Sequence, residues 1–215
     1  MIAPGSIEKH IFEAKTIIMH AAAQTFPPVI RSRKKVLTYD DYVRLTPPDS
    51  GNYELHNGKI IFMPSPSPHH QRVAGRIFRR MADFVENSRK GEVFIAPLDT
   101  KFDEINTLQP DVLFVSKERS KIVSKKKVDG APDLVVEILS EGNSPREMSY
   151  KKYIYESFGV REYWVVNLAK RTISQLVLRD GEYIQAGIWK ENESFESAVL
   201  PGFRIDVGAT LETAA

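Results

Sequence analysis

Apolar positions recur along this chain with two periods. From Ser6 to Thr25, Ile7, Ile11, Ala14, Ile18 and Ala21 follow at helical spacing, so the stretch reads as an amphipathic helix. "FPPV" breaks it and "RSRKK" makes a short basic linker, which predicts a helical extension over residues 1–35 and a domain over residues 36–215. Within that domain, "LTYDDYVRL" reads as a short helix capped by Thr38. "YELHNGKIIFM" reads as a hairpin, because Asn57-Gly58 suits a type I′ turn. A longer helix follows in "SPSPHHQRVAGRIFRRMADFVENSRKG", with Ser67 as N-cap, Pro68 in the first turn and Gly91 past the end. Val73, Ile77, Met81 and Phe84 form its apolar stripe, while Arg72, Arg76, Arg79 and Arg80 fall largely on other faces.

The period then shortens. "EVFIA", "DVLFV" and "DLVVEIL" read as strands, followed by a helix from about Ser144 to Phe158 that ends at Gly159. "EYWVVN" is the next strand, "TISQLVLRDGEYIQAGIW" a second hairpin turning at Asp180-Gly181, and "FESAVLPGFRIDV" one or two short edge strands. This order predicts an α/β or α+β domain: a mixed β-sheet flanked by helices, with an added C-terminal hairpin.

Composition narrows the class. The 215 residues suffice for one well-buried domain, given about 150 residues per domain as a loose prior. No apolar run approaches the ~20 residues of a membrane span, and "MIAPGSIEKH" lacks the basic-then-apolar order of a signal peptide, so a cytoplasmic, membrane-free protein is expected. The absence of cysteine excludes disulfides and thiolate metal sites. Thirty basic against 28 acidic residues leave +2, so binding to nucleic acid has to rest on local patches. One such patch is "SKERSKIVSKKK", with Lys117, Arg119, Lys121, Lys125, Lys126 and Lys127.

Two carboxylates interrupt the apolar run "APDLVVEILS". Alternation puts Asp133, Val135, Glu137 and Leu139 on one face and Leu134, Val136 and Ile138 on the other, so both faces are mostly apolar, as in a central strand. If this strand pairs antiparallel with "DVLFV" so that Val115 faces Asp133, then Asp111 faces Glu137, with Cβ atoms about 5 Å apart. Two carboxylates so close repel unless one is protonated or a cation lies between them. Magnesium prefers oxygen ligands and often takes only one or two carboxylates. Asp111 and Asp133 both follow Pro, where Asp also begins strands or accepts turn hydrogen bonds, and that reading is preferred for Asp133. Glu137 has no such alternative; its competing reading is a salt bridge to a buried Lys or Arg. In the next helix, Ser144 and Glu147 form a capping box, and Glu147, Lys151 and Tyr155 line one side. Trp164, Tyr153 and Tyr155 read as packing residues rather than base-stacking platforms.

"QPDVLFV", "APDLVVEILS", the Lys four before Tyr in "SYKKYIYESFGV", and "GVREYWVVN" together resemble the Uma-type restriction endonuclease family of the PD-(D/E)XK nuclease superfamily. "LTYDDYVRL", "YELHNGKI" and "SPSPHHQRVAGRI" resemble that family's opening in the same order, so the resemblance spans about Val36 to Val207. It implies a restriction-endonuclease-like fold, with Asp111 as the aspartate of the PD element and Glu137 as the second acid. Leu139 stands where the superfamily motif has Lys, and in the Uma-type pattern the next helix supplies that lysine, here Lys151. Glu54 and His70 match recurrent family positions. A surface place on the hairpin is the competing reading for Glu54, and helix capping or packing for His70. The implied activity is hydrolysis of DNA phosphodiesters with Mg2+ or Mn2+ held by Asp111, Glu137 and the carbonyl of Ile138, by a homodimer. A module that binds nucleic acid or protein without cutting is the alternative.

Overall fold

Asn57 and Gly58 both adopt positive φ, 47° and 68°, which is the backbone a type I′ turn demands. The hairpin they close belongs to a domain seen in a computed structural model that describes residues 35–47, 52–139 and 145–213. The helix expected over Ser6 to Thr25 lies outside those residues, as does Ser144, the expected cap.

The chain opens with helix α1 (Tyr39–Leu45), capped by Thr38, and continues through β1 (Asn52–His56), β2 (Lys59–Met63) and α2 (Pro68–Ser88), capped by Ser67. Next come β3 (Gly91–Ile95), β4 (Thr100–Lys101), β5 (Thr107–Leu108), β6 (Val112–Ser116), a 3-10 turn (Lys117–Ile122) and β7 (Val128–Asp129). The rest is β8 (Leu134–Leu139), α3 (Pro145–Ser157), β9 (Glu162–Asn167), β10 (Thr172–Arg179), β11 (Glu182–Lys190), β12 (Ser194–Glu196), β13 (Arg204–Asp206) and α4 (Val207–Leu211). Arg89, not Gly91, takes the left-handed position that ends α2, with φ 52°.

Six strands in the order β11-β10-β9-β8-β6-β3 make the main sheet, in which only β8 and β9 run parallel. The single sheet expected from the sequence is incomplete. β2-β1-β5-β4-β7 form a second sheet, and β12 and β13 pair with each other rather than along the main sheet's edge. β4, β5 and β7 have two residues each, too few to carry an alternation signal.

The two faces of β8 diverge as its alternation requires. Leu134, Val136 and Ile138 join Val73, Ile77 and Met81 of α2 in one core. Val135 joins Ile154 and Tyr155 of α3, with Leu108 and Val128 of the smaller sheet, in the other. Glu137 projects on that second face, under α3. The C-terminal pair is tied down through Trp164, fully buried against Phe195 at 4.9 Å between ring centres. Beside it the buried Glu162 carboxylate accepts hydrogen bonds from Trp164, Gln175, Ser197 and the Val199 amide at 2.6–3.0 Å, which replace the water it loses.

Candidate active site

Strand pairing brings the acids together first. Val112 faces Val136, Leu113 faces Val135 and Phe114 faces Leu134, so one further step sets Asp111 against Glu137, the register expected from alternation. Asp111 lies where the chain crosses from β5 of the smaller sheet to β6 of the main one. Its Oδ2 accepts a hydrogen bond from the Ile138 amide at 2.7 Å, next to Glu137.

The helices then close over this pair. Lys151, nearly two turns into α3 on its buried side, directs its Nζ to Glu137 Oε1 and Oε2, both at 3.1 Å, and to Glu54 Oε1 at 2.9 Å. Tyr155, four residues on, donates its hydroxyl to Glu137 Oε1. From α2, His70 Nε2 lies 3.1 Å from the Ile138 carbonyl and 3.3 Å from Asp111 Oδ2. Both are acceptors, so Nε2 carries the proton there. His70 Nδ1 and the Tyr163 hydroxyl are buried and have no hydrogen-bond partner among the described residues.

Glu54 is 1% exposed, so the hairpin-surface reading of this residue fails. β1 pairs with β5 at Leu55 and Thr107, which turns Glu54 inward toward α3. Its Oε1 also accepts from the Gln109 amide at 2.8 Å, and its Oε2 from His56 Nε2 at 2.6 Å. His56 stacks on Tyr150 with ring centres 4.6 Å apart. Residues 109 to 111 therefore serve both acids: the Gln109 amide holds Glu54, and Asp111 meets Ile138.

Burial first pushes the Glu137 carboxyl up, and the nearby Asp111 and Glu54 charges add to this against Lys151 and Tyr155, leaving it at about 7. Burial pushes Glu54 the same way, but Lys151 and His56 outweigh it and hold it down at about 2. Lys151 is raised well above its ordinary value: burial works against its charge, and Glu137 and Glu54 overcome that. His70 is raised because Asp111 and the Ile138 carbonyl outweigh its burial.

A cleft of about 140 Å³ opens beside these groups, lined by Glu54, His70, Asp111, Glu137, Glu147 and Lys151. Two facing carboxylates and a backbone carbonyl are hard oxygen donors, and three acids around one ammonium leave negative charge to balance, so the residues suit a divalent cation of the magnesium type. Among the described residues no three His, Asp or Glu side chains converge as a complete cage. Such a cation would keep water or substrate oxygens in its remaining positions.

Other candidates fall elsewhere. Asp133, fully buried, accepts from the Ser116 amide at 2.6 Å and from Arg161 at 2.6 Å, at the far end of β8 from the cleft. The basic connector follows Ser116, five strand steps or about 17 Å beyond Asp111. Lys127 pairs there with Asp129 and Arg119 with Asp133, while Lys117, Lys121, Lys125 and Lys126 are exposed. Arg76 and Arg80 donate to Thr210 of α4, so they tie helices together. Tyr153 is 62% exposed and does not pack as expected, whereas Tyr155 and Trp164 are buried. Tyr155 and His56 are the neighbours that sequence reasoning left out of the site. Their signals were a tyrosine one turn after Lys151 and a histidine on the same strand face as Glu54.

The mixed α+β architecture is that of a nuclease-like fold. It superposes on the crystal structure of "a putative nuclease belonging to DUF820" from Anabaena variabilis with a TM-score of 0.69 at 18% identity, over 81% of this chain and 97% of that one. Residues 39–208 match the model of the Uma2 family, described as "Putative restriction endonuclease", and the chain belongs to that family. No curated protein matches the chain. Among the described residues no helix is long and apolar enough to cross a membrane.

Proposed function

We propose that this protein is a magnesium-dependent endonuclease that hydrolyses DNA phosphodiester bonds in the cleft between Asp111, Glu137 and Lys151. The observation that carries the reading is the Lys151 ammonium, 2% exposed and drawn by two carboxylates into the lining of the cleft that Asp111 also lines. A buried ammonium needs such partners to stay charged, and a preorganised cation beside facing acids suits a reaction that develops negative charge on phosphate.

Asp111, Glu137 and the Ile138 carbonyl would hold Mg2+, with Mn2+ as a substitute. Bound there, the cation supplies Lewis-acid polarisation of a phosphoryl oxygen and a water of lowered pKa. The remaining work belongs to side chains. His70 donates to Asp111 Oδ2 and the Ile138 carbonyl and so fixes two of the three oxygens relative to each other. Tyr155 orients Glu137 from α3. Lys151 stabilises charge on the phosphate or orients the attacking water. Two copies, each with one such cleft, would cut the two strands of a duplex, and the amphipathic helix expected over Ser6 to Thr25 is the proposed dimer element.

The test is cleavage of plasmid DNA under Mg2+ by the parent, Asp111→Ala and Lys151→Ala proteins. Loss on the order of 100-fold or more is expected for each variant. Parent-like rates in both variants would remove the assignment. An unchanged melting temperature with Mg2+ or Mn2+ would favour a module that binds without cutting.

A further inference from the structure

The Lys151 ammonium has three N–H donors and no acceptor. Its contacts are Glu54 Oε1 at 2.9 Å and, symmetrically, both oxygens of the Glu137 carboxylate at 3.1 Å. The two carboxylates that hold it are not equivalent. Glu54 is engaged at both oxygens by groups that have no part in binding a cation, the Gln109 amide at 2.8 Å and His56 at 2.6 Å. It is anchored in the smaller sheet. Glu137 stands in the main sheet opposite Asp111, and apart from Lys151 its one side-chain hydrogen bond among the described residues comes from Tyr155.

We propose that Glu54 is a positioning residue for Lys151: it retains the ammonium when Glu137 turns its oxygens to a divalent cation, and the Lys151 N–H groups that Glu54 does not hold serve the substrate phosphate. Glu54 is the pivot on which Lys151 turns from Glu137 toward the substrate. The inference rests on the nuclease reading above. Glu54 is placed as an anchor and not as a ligand, because Oε1 accepts from both Lys151 and Gln109 and Oε2 accepts from His56. Its ionised state, held down at about 2, agrees with a permanent anchor for the ammonium.

Two readouts test this. In calorimetric titration with Mg2+ alone, Lys151→Met should bind the cation about tenfold tighter than the parent, because the ammonium no longer competes for Glu137. Glu54→Gln should bind about tenfold weaker, because Lys151 then leans wholly on Glu137. In the Lys151→Met background, the Glu54→Gln change should have no effect. If it weakens Mg2+ binding there as much as in the parent, Glu54 acts on the cation directly and the pivot is overturned. In DNA cleavage, Glu54→Gln should lower kcat on the order of 100-fold with KM unchanged. A parent that binds Mg2+ and cleaves, beside a Glu54→Gln protein of equal kcat, overturns the pivot alone. A parent that binds no cation overturns the nuclease reading together with it. If Glu54→Gln does not fold, His56→Phe keeps the stacking on Tyr150 and removes the donor behind Glu54. It should lower kcat several-fold in the same sense, and an unchanged kcat counts against the pivot.

Discussion

Lys151 and Glu137 meet 14 residues apart in sequence, with the ammonium 3.1 Å from each oxygen of the carboxylate. The helix that carries the lysine starts where the strand that carries the acid has ended, and it folds back over that strand's face. This pairing keeps an ammonium charged in a buried place, yet it does not fully compensate Glu137, whose carboxyl remains raised to about 7.

That imbalance has a sign that can be measured without substrate or cation. The folded-state value of Glu137 lies above its ordinary 4.5, so its stabilising contribution is complete below pH 4.5 and is lost as pH rises toward 7. Between pH 4 and pH 8, in chelator-containing buffer, the stability of Glu137→Gln relative to the parent should therefore shift in the variant's favour by about 3 kcal/mol. Glu54 runs the other way, because its contribution is present above pH 4.5 and is lost as pH falls toward 2. Urea melts across this range are the check; parallel curves for Glu137→Gln and parent would contradict the account.

Asp133 should separate from Glu137 in kind. Its buried carboxylate accepts from a backbone amide and from Arg161 and Arg119 at the end of β8 remote from the cleft. Asp133→Ala should cost about 2 to 3 kcal/mol by leaving the Ser116 amide unpaired. DNA cleavage per folded molecule should stay within about twofold of the parent, since the cleft is untouched. A folded Asp133→Ala protein without activity would show that this end of the strand matters to the reaction.

The basic connector should affect grip and not chemistry. Lys117, Lys121, Lys125 and Lys126 are exposed in a connector that begins about 17 Å along β6 from Asp111. Replacing all four with Ala should leave kcat on DNA unchanged. If the connector touches the duplex, KM rises and the dependence of binding on salt becomes shallower by about one unit per lost phosphate contact. A fall in kcat at saturating DNA would instead place the connector in the catalytic arrangement.

Much of this site follows from local rules. The alternation in "APDLVVEILS" separates Glu137 from Ile138, and the antiparallel register with "DVLFV" sets Asp111 against Glu137, because side-chain direction in a strand repeats every two residues. The caps at Thr38 and Ser67 and the turns at Asn57-Gly58 and Asp180-Gly181 are equally local, each specified by one or two residues. The sequence alone also determines that Lys151 and Tyr155 share a side of their helix. Tertiary structure decides what that side meets. Glu54 reaches Lys151 across 97 residues, through a second sheet built partly from two-residue strands that carry no periodic signal. The burial of Glu54, the placing of His70 on Asp111 and the Ile138 carbonyl, and the distance of the basic connector from the cleft depend on how two sheets and two helices pack. Periodicity records which face of an element is apolar, and packing alone selects the partner of that face.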